Sequence, residues 1–375
     1  MKKNLAIITT HPIQYQVPLF KSLFKVKKIN SYVFYGCDQG INKKNMDNDF
    51  NKKFMWDIPM LSGYNFFFSK KNSTYDSFFL RFINFSKKLK KINCNCILIL
   101  GWNKLIYFQA ILYAIQNSIP ILLRSENNLD SKNSLLKKII KKTIFPIFFS
   151  IFTCVYYIGK LNKYFYLFYG VERSKLFSTP YFVDNFFFNK KKIKKESIVF
   201  NILFVGKFIH RKRPFDVLKL AELLKDYKDI NFTMVGDGPL LPESIKFVKK
   251  KSLTNISFKG FQNQKQMKNV YSKANILINT SSYETWGLVV NEAMAAGLPC
   301  IVTDTTGCAE DLIKKKNTGY IYKVSDLISL KKYILKIYKN KKLYFQMSNN
   351  ANNIIKKNSI EKTAKVISES ILALC

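Results

Sequence analysis

The chain has 375 residues, 47% of them hydrophobic, and a formal net charge of +38. That length suggests two domains, and the apolar content is enough for two packed cores, which excludes a disordered chain. The charge excludes little: a basic field attracts nucleic acid, anionic lipid or phosphorylated substrates, yet an AT-rich genome yields the same surplus of Lys, Asn, Ile, Phe and Tyr.

The basic excess is concentrated in the first half, where positions 1–195 carry 33 basic and 9 acidic residues. Seven cysteines form no C-x-x-C pair, and two histidines cannot complete a zinc-finger pattern. Unpaired cysteines fit a reducing, cytoplasmic compartment.

In chain order, Leu5–Thr9, Ser31–Tyr35, Cys96–Leu100, Ile119–Leu123 and Thr153–Ile158 read as strands, with a helix over Leu105–Gln116. The opening Met1-Lys-Lys resembles a signal peptide, but Thr9 to Pro12 end its apolar run too early. Thr143–Gly159 is apolar for about 17 residues, at the lower limit for a membrane span. A helix running into a buried strand explains it equally well. The lysine-rich stretch Asn189–Ser197 looks like a linker. The chain then alternates regularly, with strands at Asn201–Val205, Asn231–Val235, Ile256–Phe258, Asn275–Thr280 and Cys300–Thr303. Helices fit at Pro214–Tyr227, up to Lys251, at Gln264–Lys273, at Leu288–Ala296 and from Ala309, and a last one over about 357–375. Alternation with short joints means parallel sheets covered on both faces. The expected class is therefore α/β: two Rossmann-like, doubly wound domains, residues 1–190 and 198–356, facing one another across a cleft.

Three clusters follow strands and so lie on a carboxyl edge. In Gly206–Pro214 (GKFIHRKRP), the cations Lys207, Arg211, Lys212 and Arg213 can stabilise a phosphate leaving group, or form a solvated basic turn. The glycines of Gly236-Asp237-Gly238-Pro239 let backbone approach a ligand, or simply make a turn, and Gly260-Phe261 is a similar case. In Ser281–Asp304, Glu284 stands in the turn before a helix and Glu292 on its second turn. The amides of Trp286, Gly287 and Leu288 fall at that helix N-terminus, where free N–H groups and the helix dipole favour an anion. A helix cap plus an exposed helical Glu is the plain alternative.

The order Gly-Lys…Lys, G-D-G-P, F-x-G-F, then Y-E-x-W-G-L-x-x-x-E-A-M-A-A-G-L-P resembles the family 4 glycosyltransferases over roughly residues 200–320. Glu284 and Glu292 have the spacing of the family's Glu-x7-Glu signature. The resemblance implies the GT-B fold, transfer with retention, and a nucleotide-sugar donor, UDP- or GDP-linked, without a cofactor or metal. It implies that Glu292 holds the ribose hydroxyls and Glu284 the donor sugar. Trp286, Gly287 and Leu288 would bind the distal phosphate, and Lys212 the pyrophosphate. Lys207 stands where the family usually has arginine, which keeps the charge but loses the bidentate fork. Cys308 replaces a common glycine, and Glu310 falls at an acidic position. The terminal helix is expected to pack back on the first domain.

The first half matches more loosely, at Thr10–Phe20, Gly101-Trp102, Leu122–Asn127, Gly159, Asn162, Tyr169-Gly170 and Asp184-Asn185. His11, Gln14, Arg124 and Glu126 are candidates for the acceptor side, each with a structural role as the alternative. Asp47-Asn48-Asp49 has the D-x-D pattern of a metal site, but in a polar run with no strand before it. Rival readings are a sugar-nucleotide epimerase or phosphorylase on the same fold, and a basic nucleic-acid-binding protein. No recognisable nucleic-acid module supports the last. The lysines at 87, 88, 90 and 91 suggest contact with an anionic membrane surface and a glycan or lipid-linked acceptor.

Overall fold

The computed structural model describes residues 2–41, 46–47, 52–53, 55–69, 78–129, 135–189 and 199–374. Most of the 189–197 stretch, and Asn48 and Asp49 of the D-x-D pattern, lie outside them. The chain forms two compact units.

Unit 1 comprises Met1–Asn45, Ile58–Tyr181 and Ile360–Cys375. Its first strands are β1 (Lys3–Thr9) and β2 (Ile29–Tyr35). A two-residue antiparallel pair, β3 (Met46–Asp47) with β4 (Lys52–Lys53), groups instead with unit 2. The sheet of unit 1 continues with β5 (Asn65–Phe68), β6 (Cys96–Ile99), β7 (Ile121–Arg124), β8 (Cys154–Tyr157) and β9 (Leu176–Ser178). All seven strands are parallel, in the order β5-β2-β1-β6-β7-β8-β9. The central strands are apolar throughout because helices cover both faces; Leu5 to Ile8 and Ile97 to Ile99 are fully buried. The helices are α1 (Val17–Phe24), α2 (Phe78–Lys91), α3 (Leu105–Gln116), α4 (Leu135–Ser150) and α5 (Lys160–Phe168). The apolar stretch from Thr143 is the end of α4 followed by β8, and among the described residues no helix is long and apolar enough to cross a membrane.

Unit 2 comprises Met46–Asp57 and Phe182–Ser359. It opens with the short α6 (Asn185–Phe188), so its boundary falls earlier than the sequence suggests. Asp184 and Asn185, expected on the acceptor side, serve unit 2 instead. Asp184 Oδ1 accepts a hydrogen bond from Phe187 N, and Asn185 Nδ2 donates to Ile355 O. The strands are β10 (Phe200–Val205), β11 (Ile230–Val235), β12 (Ile256–Phe258), β13 (Ile276–Asn279), β14 (Cys300–Thr303) and β15 (Gly319–Tyr322). They are parallel, in the order β12-β11-β10-β13-β14-β15, the dinucleotide-fold arrangement. Helices α7 (Pro214–Leu223), α8 (Leu241–Lys250), α9 (Gln264–Ser272), α10 (Leu288–Ala295), α11 (Leu327–Tyr338) and α12 (Lys341–Ile355) fill the connections. Ala309–Ile313, expected to begin a helix, is a single π-helical turn.

The last helix, α13 (Ile360–Leu374), belongs to unit 1, where Ile367 and Ile371 are fully buried.

Candidate active site

In unit 2 the direction of strand addition reverses at β10, which has β11 on one side and β13 on the other. Adjacent crossovers there leave on opposite faces, so the loops after β10 and β13 meet at the topological switch point, on the strands' carboxyl ends. The loop after β10 is 206–213, and the loop after β13 is 280–287.

Hydrogen bonds tie these loops together. Thr280 Oγ1 donates to Lys212 O (2.7 Å), and Ser282 N donates to Arg211 O (2.8 Å). Arg211 Nη1 donates to Tyr283 O (3.1 Å). The side chains meet as well: Lys212 Nζ donates to Glu284 Oε2, and Arg211 Nη1 stands 3.8 Å from Glu284 Oε1. Lys212 and Glu284 are only 15% and 12% exposed, so their ion pair is shielded from water. Burial, the largest cause, pulls the Lys212 ammonium down to about 7, and the charges of Arg211 and Lys207 push the same way. The Glu284 carboxylate is the acidic group in contact with Lys212, and a carboxylate there favours the charged amine.

Arg213 has a different role. It adopts φ +50° at the start of α7 and grips the buried Asp216 through Nε (2.7 Å) and Nη2 (3.0 Å). That bidentate pair fixes the turn and sets Arg213 apart from Lys207, Arg211 and Lys212.

Glu284 is held from below. Its N donates to Thr305 O (3.2 Å), and its carbonyl accepts from Gly307 N (2.9 Å). Cys308 N donates to Trp286 O (2.9 Å). Thr303 and Thr305 hydroxyls both donate to Ser281 O. This 303–308 support escaped the sequence reading, although T-D-T-T-G directly after a strand was a visible signal. Cys308 is fully buried, and a Cβ on Gly287 would lie 3.7 Å from its Sγ.

Gly287, at φ +100°, is the N-cap of α10, so the 286–288 backbone lies at that helix's positive end beside the cations. The Trp286 ring itself turns into the core, and its Nε1 donates to Asn291 Oδ1 (2.8 Å). Leu288 begins the helix. Glu292, one helical face away, is 2% exposed, and its Oε2 accepts from Tyr271 of α9 (2.6 Å).

The glycines resolve into two kinds. A Cβ on Gly236 (φ +138°) would lie 1.9 Å from Gly206 O, so this glycine lets two backbone loops touch. A Cβ on Gly260 (φ +62°) meets nothing within 4 Å. Gly260 O accepts from Gly236 N (2.9 Å), and Phe261 follows, half-buried. Glu310 pairs with Lys314 (2.5 Å), one turn further along the chain.

In unit 1 the same reversal falls between β1 and β6. His11 and Gln14 lie on the loop after β1. His11 Nδ1 is 2.9 Å from Thr10 Oγ1. Gln14 is 92% buried, and its Oε1 has no hydrogen-bond partner among the described residues. Arg124, at the end of β7, is buried. Its Nε and Nη2 donate to Thr179 Oγ1 (3.2 Å) and Thr179 O (3.3 Å), and its guanidinium stacks over Tyr181. Burial lowers its pKa to about 10, against the opposing charge of the exposed Glu126. Asn162, also matched in sequence, ties β8 to the 127 loop: its Oδ1 accepts from Ile158 N and its Nδ2 donates to Asn127 O.

Two parallel-sheet α/β units of this kind define the GT-B fold. Anabaena Alr3699/HepE in complex with UDP matches all of both chains with a TM-score of 0.74 at 11% identity. A likeness that distant establishes the fold alone. Residues 184–354 match the family profile of the glycosyl transferases group 1, so unit 2 carries a domain of that kind. An uncharacterized glycosyltransferase of Methanocaldococcus jannaschii is 32% identical over 160 residues, covering 43% of this chain and 44% of the relative. N-acetyl-alpha-D-glucosaminyl L-malate synthase of Bacillus anthracis is 27% identical over 190 residues, covering 48% and 49%. The chain spans less than half the length of these curated relatives.

Proposed function

We propose that this chain is a retaining glycosyltransferase of family 4. It takes a sugar from a nucleotide-diphosphate donor bound in unit 2 and passes it to a glycan or lipid-linked acceptor. The observation that carries this reading is the meeting of Lys212, Arg211 and Glu284 at the topological switch point, beside the amide end of α10. A diphosphate placed there replaces Glu284 as the counter-ion of Lys212, which frees that carboxylate for donor-sugar hydroxyls. Glu292 serves the ribose by exchanging or sharing its Tyr271 hydrogen bond. The match to the glycosyl transferases group 1 profile and the names of the relatives support a transferase rather than an epimerase, a phosphorylase or a nucleic-acid binder.

In the transfer step the anomeric C–O bond to phosphate breaks and the acceptor oxygen bonds to the same face of that carbon. The acceptor's proton passes to the leaving phosphate. Lys207, Lys212 and the α10 dipole stabilise the charge that accumulates on it. The unpartnered Gln14 Oε1 suits a hydroxyl donor from the acceptor.

A thermal-shift screen against UDP, GDP and ADP tests the reading. A ligand at a hundredfold its dissociation constant adds about 2.7 kcal/mol. One nucleotide is expected to raise the melting temperature of the wild type and to have little effect on Lys212→Ala. Stabilisation by none of them, in a well-folded protein, would sink the proposal.

A further inference from the structure

Helices α3, α4 and α5 link β6, β7, β8 and β9, which are successive neighbours in the unit 1 sheet. Three right-handed crossovers stepping the same way lie on one face of a sheet, so these helices form a row. Their inner faces fill the core with residues such as Ala110, Phe149 and Phe165. An ordinary surface helix is polar on its other side. These three are apolar there too.

On α3, Leu105, Phe108, Leu112 and Ile115 recur at helical spacing and are all exposed. On α4, Ile140, Ile144 and Ile147 do the same, Ile147 with 70% of its surface in solvent. On α5, Tyr164 and Phe168 are exposed, and with Leu129 and Leu161 they line an open apolar depression of about 540 Å³. A run of this kind on one face exceeds the scattered apolar residues of a normal surface.

Within these helices the charge has a single sign. None of the three helices contains Asp or Glu. Lys141, Lys142, Lys160 and Lys163 lie among the apolar stripes, and Lys104 caps α3. Lys142 Nζ sits 5.9 Å over the Phe168 ring and Lys141 Nζ 5.9 Å over the Phe145 ring, so ammonium groups lie directly on the apolar surface.

We propose that the outer face of α3, α4 and α5 docks on an anionic lipid bilayer. Apolar stripes interleaved with lysines enter the headgroup region while the ammonium groups meet lipid phosphates. A second copy of the chain is a poorer occupant, because a symmetric contact sets lysine against lysine. The inference does not depend on the transferase reading, since the bilayer needs no acceptor glycan.

The test is co-sedimentation of the full chain with vesicles of phosphatidylcholine alone or mixed with phosphatidylglycerol, neither carrying any glycan. The wild type is expected to sediment only with the anionic vesicles. The I144Q/I147Q variant is expected to bind them about tenfold more weakly or worse, with an unchanged melting temperature, because both side chains are already in water. F108Q/L112Q repeats the measurement on α3. Wild type that stays in the supernatant, or both variants sedimenting like wild type, would overturn the proposal. So would a lipid-free dimer that either variant converts to a monomer, which would assign the face to a second copy.

Discussion

Lys212 illustrates how burial and charge set a residue's behaviour. Its ammonium has lost water, and Glu284 replaces part of that solvation. Removing the carboxylate therefore lowers the pKa further, so Glu284→Gln is expected to move the pH at which a nucleoside diphosphate is lost to lower values. The sign follows from proton linkage: a diphosphate favours the charged lysine. Affinity should hold below about pH 7 and fall above it, by at most about tenfold per unit for one proton. Calorimetric titration of wild type and Glu284→Gln across that range checks it: the ligand's own phosphate ionisation is common to both, so the shift between the two profiles reports the Lys212 pKa. Loss of this cation should also lower kcat about a hundredfold or more. Tyr271 is the second instructive residue. Tyr271→Phe leaves the buried Glu292 without one donor and should cost about 1–3 kcal/mol in urea unfolding. Neither contact was legible in the sequence beyond the Glu-x7-Glu spacing, because Lys212 and Tyr271 reach their partners from other loops and helices.

At the scale of elements, the loops after β10, β11 and β12 form one layered unit. Gly206, Gly236 and Gly260 bring their backbones into direct succession: Gly206 N donates to Val235 O at the end of β11, and Gly236 N to Gly260 O after β12. Gly236→Ala places a methyl against the Gly206 carbonyl and is expected to destabilise by more than about 3 kcal/mol. Gly260→Ala has open space around it and should cost only the left-handed backbone, about 1 kcal/mol. Comparing their urea midpoints tests this; equal effects would contradict it. The glycine pattern in the sequence marked all these turns, but which of them touches another backbone depends on strands that are neighbours only in the sheet. The 46–57 segment was opaque in sequence for a related reason. Asp57 Oδ2 accepts from Lys265 N at the start of α9, and Asn263 Nδ2 donates to Met55 O. Contacts some 200 residues apart leave no local pattern.

For the whole molecule, the chain returns to unit 1 through α13 after completing unit 2. Ile367 and Ile371 are buried in unit 1, so ending the chain at Ser359 exposes apolar surface there. Truncation there is expected to lower the melting temperature of the protein by several degrees or more, and to make unit 1 the first part cut in limited proteolysis. Stability unchanged by truncation would mean that α13 contributes no core.

The sequence by itself determined the two-sheet α/β class, most strand positions in unit 2, and the loops after strands that carry Lys207 and Lys212 on one side and Glu284 and Glu292 on the other. Those are properties of period, turn chemistry and spacing, which are local. Only the tertiary structure decided that Lys212 is neutralised by Glu284, that Arg213 serves Asp216, that Trp286 faces the core, and that Asn162 and Asp184 brace loops and helix ends. It also decided which apolar residues of α3, α4 and α5 remain outside. A helix that is apolar all round reads as buried in sequence, and only the sheet order says which of its faces the core has no room to cover.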